Sequence, residues 1–208
     1  MLKYLRRCKD RKGFTLVEVI IVLVIIAILS AVLIPSLSGY IDRANKAKYM
    51  LAAKNCMKAM QIELSEMYAE KISPFDIKGI KTCGKSENLD VSFIGTDFAK
   101  EVLTTADDEP YILLFGLGNY KTYISTPERS KAYTVYFVAY VRDKDSRPIY
   151  FNGSEWTTKY PWEKDYGNTF KVNGEDILLE FYFVAGPDKN NAANNWTKLK
   201  QIRDKFKD

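Results

Sequence analysis

The chain has 208 residues with 31 Lys+Arg, 26 Asp+Glu and no histidine, a formal net charge of +5 with 47% hydrophobic residues. That length suits one globular domain of ordinary size with an appendage. The missing histidine removes the commonest general base and the usual Ser or Cys triad, and it makes a zinc site less expected.

Residues 1–13 hold six basic residues (Lys3, Arg6, Arg7, Lys9, Arg11, Lys12) and one acid, Asp10. The remainder carries 25 basic and 25 acidic residues, so the basicity belongs to the leader alone. Under the positive-inside rule the leader stays in the cytoplasm and the C-terminal region lies outside it. A neutral remainder argues against strong nucleic-acid binding.

From Phe14 to Ile34 the chain reads FTLVEVIIVLVIIAILSAVLI, with Glu18 as its one charge. As a helix this run reaches about 32 Å, close to the thickness of a bilayer core. A carboxylate in such a span costs roughly 2.5–3.5 kcal/mol on insertion scales, which points to a partner that meets it after insertion. A buried globular helix would keep a polar face, yet Val19 to Leu29 has none. A secretory signal peptide would end in a small-x-small cleavage site, and Ser30-Ala31-Val32-Leu33-Ile34-Pro35 does not supply one.

The stretch Lys12-Gly13-Phe14-Thr15-Leu16-Val17-Glu18 resembles the prepilin signal of type IV pilins and their pseudopilin relatives, and the likeness extends along the apolar run to Pro35. The resemblance implies cleavage between Gly13 and Phe14 by a membrane aspartic prepilin peptidase, N-methylation of Phe14, and extraction of the helix into a filament. It implies other pilin subunits and an inner-membrane assembly platform as partners, with membrane lipid around the helix before assembly. Assembly is expected to use Glu18 and Phe14, because in an apolar filament core the new α-amine of one subunit can approach Glu18 of another, and removing either leaves its partner buried and unpaired. Pro35 falls where many family members bend this helix, and Gly39 adjoins it. No enzymatic activity and no cofactor are expected.

Past Pro35 the apolar spacing stays helical: Leu37, Ile41 and Ala44, then Met50, Ala53, Met57, Met60, Leu64 and Met67. This predicts an amphipathic continuation over 35–71, ending before Ser73-Pro74. Residues 72–109 show no sustained period and read as a connecting region with a short helix at Thr96–Leu103. Residues 110–208 read as β-rich, with strands at Tyr111–Leu117, Ala132–Arg142, Ile149–Phe151, Thr169–Val172 and Ile177–Ala185. Asn152-Gly153 and Asn173-Gly174 are type I′ hairpin signals between such strands. The expected fold is α+β and pilin-like: a long N-terminal helix on an antiparallel sheet of four to five strands, with one face of the sheet toward water, residues 35–208 forming one head.

Near the C terminus, Trp196, Leu199, Ile202 and Phe206 share a helical face with basic residues elsewhere. Packing onto the head is the expected use, and a membrane-surface or acidic-partner contact the alternative. Gly186-Pro187-Asp188 is similar to the start of the calcium loop of major pseudopilins, but Lys189, Asn190 and Asn191 replace the acids expected after it. Asp188 is left as a calcium candidate without companions, and no metal is expected. Cys56 and Cys83 are either a disulfide or two buried thiols. The acid pairs Asp107-Asp108 and Glu175-Asp176 read as solvated loop residues.

Three functions fit. The first is a pilus subunit, major or minor, for adhesion, motility or attachment, held in the cytoplasmic membrane before assembly and at the cell surface after. The second is a pseudopilin of a type II secretion or competence DNA-uptake system, for whose major subunit a mature length of 195 residues is large. The third is a membrane-anchored binding domain that never polymerises, against which Glu18 argues, since an isolated helix would gain nothing from it.

Overall fold

A computed structural model describes residues 13–73, 81–86, 89–93, 96–161, 169–189 and 191–206. The leader outside these ranges, residues 1–12, and Pro74 lie beyond the description. The chain forms two compact units, residues 1–47 and 48–208. The first helix, α1 (Leu16–Glu70), begins in the first unit and ends in the second, running through Pro35 without interruption.

In the first unit the apolar run is bare. Phe14 is 86% exposed, and the large apolar side chains from Leu16 to Ile41 are exposed too. The helix is long and apolar enough to cross a membrane, and none of its most apolar window is buried. A core helix of a water-soluble protein would bury that surface.

In the second unit α1 becomes amphipathic as the periodicity predicts. Ala53, Met60, Leu64 and Met67 are buried, with Cys56 and Ala59 beside them, while Met50 and Met57 pack against the core from its margin. Among the described residues eight strands follow: β1 (Lys81–Ser86), β2 (Leu89–Phe93), β3 (Ile112–Gly118), β4 (Val135–Val141), β5 (Ile149–Phe151), β6 (Trp156–Thr157), β7 (Thr169–Val172) and β8 (Glu175–Ala185). Three further helices are α2 (Thr96–Ala106), α3 (Tyr120–Tyr123) and α4 (Ala192–Lys205). The sheet order is β1-β2-β8-β3-β4-β5-β6, with β7 paired to β8. Every pairing is antiparallel except β2 with β8.

All five expected strands form, and the α+β class holds. The sheet is wider than expected because β1 and β2 arise within the connecting region, and β6 adds a two-residue edge. LDVSF in β2 is too short for alternation to be read; its parallel register on Phe181–Phe183 is a tertiary pairing. The expected water-facing side is also corrected, since every residue of β3 is buried. On one face Phe137 packs edge-on to Phe181, and Phe181 lies 5.8 Å from Trp196 of α4. On the other, Tyr140, of opposite parity to Phe137 in β4, donates to Asp108 at 2.7 Å, the carboxylate that also accepts from Cys56 of α1 at 3.8 Å. A helix therefore covers each face.

The two Asn-Gly turns diverge. Asn173 (φ 50) and Gly174 (φ 87) form the two-residue turn between Val172 and Glu175, both left-handed as type I′ requires. At Asn152-Gly153 the loop has four residues, because Asn152 Oδ1 accepts from the Ser154 and Glu155 amides and closes an Asx turn instead. α4 packs as expected: Trp196, Leu199 and Ile202 are buried, which removes that face from any membrane contact.

Candidate functional site

The start of α1 is built by two residues. Thr15 stands just before the helix, and its carbonyl accepts from the Val19 amide. Its hydroxyl accepts from the Glu18 amide at 3.3 Å, while Glu18 Oε2 accepts from the Thr15 amide and hydroxyl, both at 2.8 Å. This reciprocal pattern is a capping box. The carboxylate also sits in the first turn, where the helix dipole favours negative charge. An isolated helix thus does gain from Glu18, contrary to expectation. The signal was present as Thr15-x-x-Glu18, the spacing a capping box requires.

Gly13 and Phe14 precede the cap in non-helical backbone, both exposed. Among the described residues nothing lies within 4 Å of where a Gly13 Cβ would stand. The Gly13–Phe14 bond lies outside the helical hydrogen-bond ladder. Pro35 and Gly39 lie inside α1, at a distance in sequence from this cap.

The remaining candidates fall elsewhere. Cys56 is a free, buried thiol that donates to Asp108 Oδ2 at 3.8 Å. That counts against the bridge to Cys83, whose side chain lies outside the described residues. Asp108 is not a solvated loop acid: its side chain is 7% exposed, pairs with Arg142 and accepts from the Tyr140 hydroxyl at 2.7 Å. Burial, followed by the neighbouring Asp108 charge, pushes the Cys56 thiol up to about 12. This cluster joins α1, the end of α2 and β4, and its groups are occupied with one another. Glu175 and Asp176 are exposed as expected, but they open strand β8 instead of lying in a loop, and they pair with Lys131 and Lys171.

Asp188 serves its loop. Its carboxylate accepts from Asn194 at 2.6 Å. Its amide donates to Asn195 Oδ1 at 2.9 Å and its carbonyl accepts from Asn195 Nδ2 at 2.7 Å. Asn195 is fully buried. Among the described residues no group of three or more Cys, Asp or Glu is placed to hold a metal.

Residues 8–34 match the family model described as the prokaryotic N-terminal methylation motif, the signature of type IV pilin-like precursors. No curated protein matches the chain, and no solved structure does.

Proposed function

We propose that the chain is the precursor of a structural subunit of a type IV pilus, without catalytic activity of its own. The observation that carries this is the methylation motif lying over a helix start whose carboxylate is capped and whose apolar surface is wholly uncovered. A prepilin peptidase would cut after Gly13, and Phe14 would then be N-methylated. Before assembly the apolar run spans the cytoplasmic membrane with its N terminus in the cytoplasm. In the filament the same run packs against the runs of other subunits, and the head of residues 48–208 faces outward.

Burial makes this economical. The exposed aliphatic side chains of the run are stabilised by about 25 cal/mol per Å² once removed from water, whether by lipid or by other helices. Hydrophobic packing among near-uniform Val, Ile and Leu does not fix axial position, whereas one carboxylate meeting one amine does. A pseudopilin of a type II secretion or competence DNA-uptake system would share this motif and this helix. Intact-mass analysis tests the processing, with a chain beginning at N-methyl-Phe14 expected and one beginning after Ser30 or Ala31 overturning it. Imaging of surface fibres in cells with and without the chain tests the assembly.

A further inference from the structure

Beyond the membrane run, α1 separates its charges by sign. Lys54, Lys58, Ile62, Glu66 and Glu70 follow one another at intervals of four and so form a single ridge along the helix surface. All five are exposed, Ile62 by 50%, and Leu51 beside them by 59%. Lys58, Ile62 and Glu66 border a shallow depression with Gln61, Ser65 and Ala69. None of the four charged groups makes an ion pair with another described residue.

In a single copy this arrangement is unfavourable. Lys54 repels Lys58, and Glu66 repels Glu70, each one turn away. Glu63 adds to the acidic end; partial burial, then the like charges of Glu101 and Glu66, hold its carboxyl above the usual range. The ridge has a basic end, an aliphatic middle and an acidic end, and no ion pair among the described residues neutralises either end.

We propose that this ridge docks on the same ridge of a second copy, the helices parallel and offset so that Lys54 and Lys58 of one copy meet Glu66 and Glu70 of the next. A single offset serves both pairs, because Lys54 to Glu66 and Lys58 to Glu70 are each twelve residues, about 18 Å of helix. An antiparallel contact centred on Ile62 would also match the charges. Parallel helices are chosen because both copies enter the membrane by the same N-terminal run with their leaders on one side, so the contact rests on the assembly reading above. The offset contact is heterologous: each copy presents a basic end to one neighbour and an acidic end to another, so it propagates instead of closing as a dimer. The charge pairs would supply register and partner choice, and the apolar run the bulk of the affinity.

Disulfide trapping in cells that make the filament tests this. A chain carrying both Lys54→Cys and Glu66→Cys should oxidise to a ladder of multimers, as should one carrying Lys58→Cys and Glu70→Cys. A chain carrying Lys54→Cys and Glu70→Cys, the antiparallel pair, should give no trapped product. Filaments that form normally but trap only through the antiparallel pair, or through none of the three, overturn the offset while leaving the assembly reading intact. Absence of filaments from cells making the unaltered chain overturns both. As a second measure, Lys54→Glu with Lys58→Glu should lower the yield of sheared filaments severalfold, and adding Glu66→Lys with Glu70→Lys should restore it. Equal yields from all three chains would refute the charge pairing.

Discussion

Oε2 of Glu18 is taken up by Thr15, and Oε1 makes no hydrogen bond among the described residues. One oxygen holds the helix start, and the proposed pairing with an incoming amine would use the other. The two roles separate by substitution. Glu18→Gln keeps a capping-box side chain but loses the charge; Thr15→Val keeps the charge but loses the hydroxyl, at about 1 kcal/mol of helix stability. Pairing with the Phe14 amine predicts that Glu18→Gln and Glu18→Ala both abolish filament incorporation with the head still folded, while Thr15→Val only weakens it. Normal filaments from Glu18→Gln would leave capping as the whole role. The Asp108 cluster gives a second residue-level expectation. Asp108→Asn leaves Arg142 without its partner, and because Arg142 is partly exposed the cost should be about 2 kcal/mol in denaturant unfolding, below that of a fully buried pair. Cys56, raised to about 12 by burial and Asp108, stays protonated through neutral pH in the native fold. It should resist alkylation until the chain is denatured, as peptide mapping would show. The sign for stability follows: protonation of Cys56 favours the folded state fully below the unfolded thiol value of about 8.5, and that contribution is lost as pH rises from there toward about 12. A Cys56→Ala chain should show a flatter loss of stability over that window.

Elements with a strong period were legible in the sequence, and those without one were not. The step of Met50, Ala53, Met57, Met60, Leu64 and Met67 marked the face of α1 that packs, and the β-branched and aromatic runs marked β3, β4 and β8. β1 and β2 escaped because β2 pairs with β8, far along the chain, and β1 in turn pairs with β2, with no pattern of their own. The capping box was written in Thr15-x-x-Glu18 but was overshadowed by the charge of Glu18 in an apolar run. The burial of Asp108 could not be read, since it depends on Arg142 and Tyr140 arriving from β4. Close packing between elements supplies a further prediction. Gly118 ends β3 directly against the 3-10 turn Arg129–Tyr133, where an added Cβ would lie 2.2 Å from the Lys131 carbonyl oxygen. That neighbour is backbone and cannot rotate away, so Gly118→Ala should cost about 1–3 kcal/mol, measured as a lowered denaturant midpoint.

At the scale of the whole molecule, the chain divides its apolar surface between two uses. The buried core begins at Ala53 and draws on α1, the sheet, α2 and α4, whereas the run from Phe14 to Ile34 contributes nothing to it. The head should therefore fold without the run. Residues 36–208 made alone are expected to be soluble, with a mixed helix and strand circular dichroism spectrum and one cooperative unfolding transition. They should also be monomeric by size-exclusion chromatography at micromolar concentration, because exposed ion pairs are worth about 0.2–1 kcal/mol each and two such pairs cannot offset the entropy of association. The chain beginning at Phe14 should need detergent or lipid to remain dispersed, since in water its uncovered helix would drive aggregation. A fragment 36–208 that stayed unfolded would show that the run is part of the folding unit, and a fragment that associated tightly would place most of the assembly affinity in the head instead of the apolar helix.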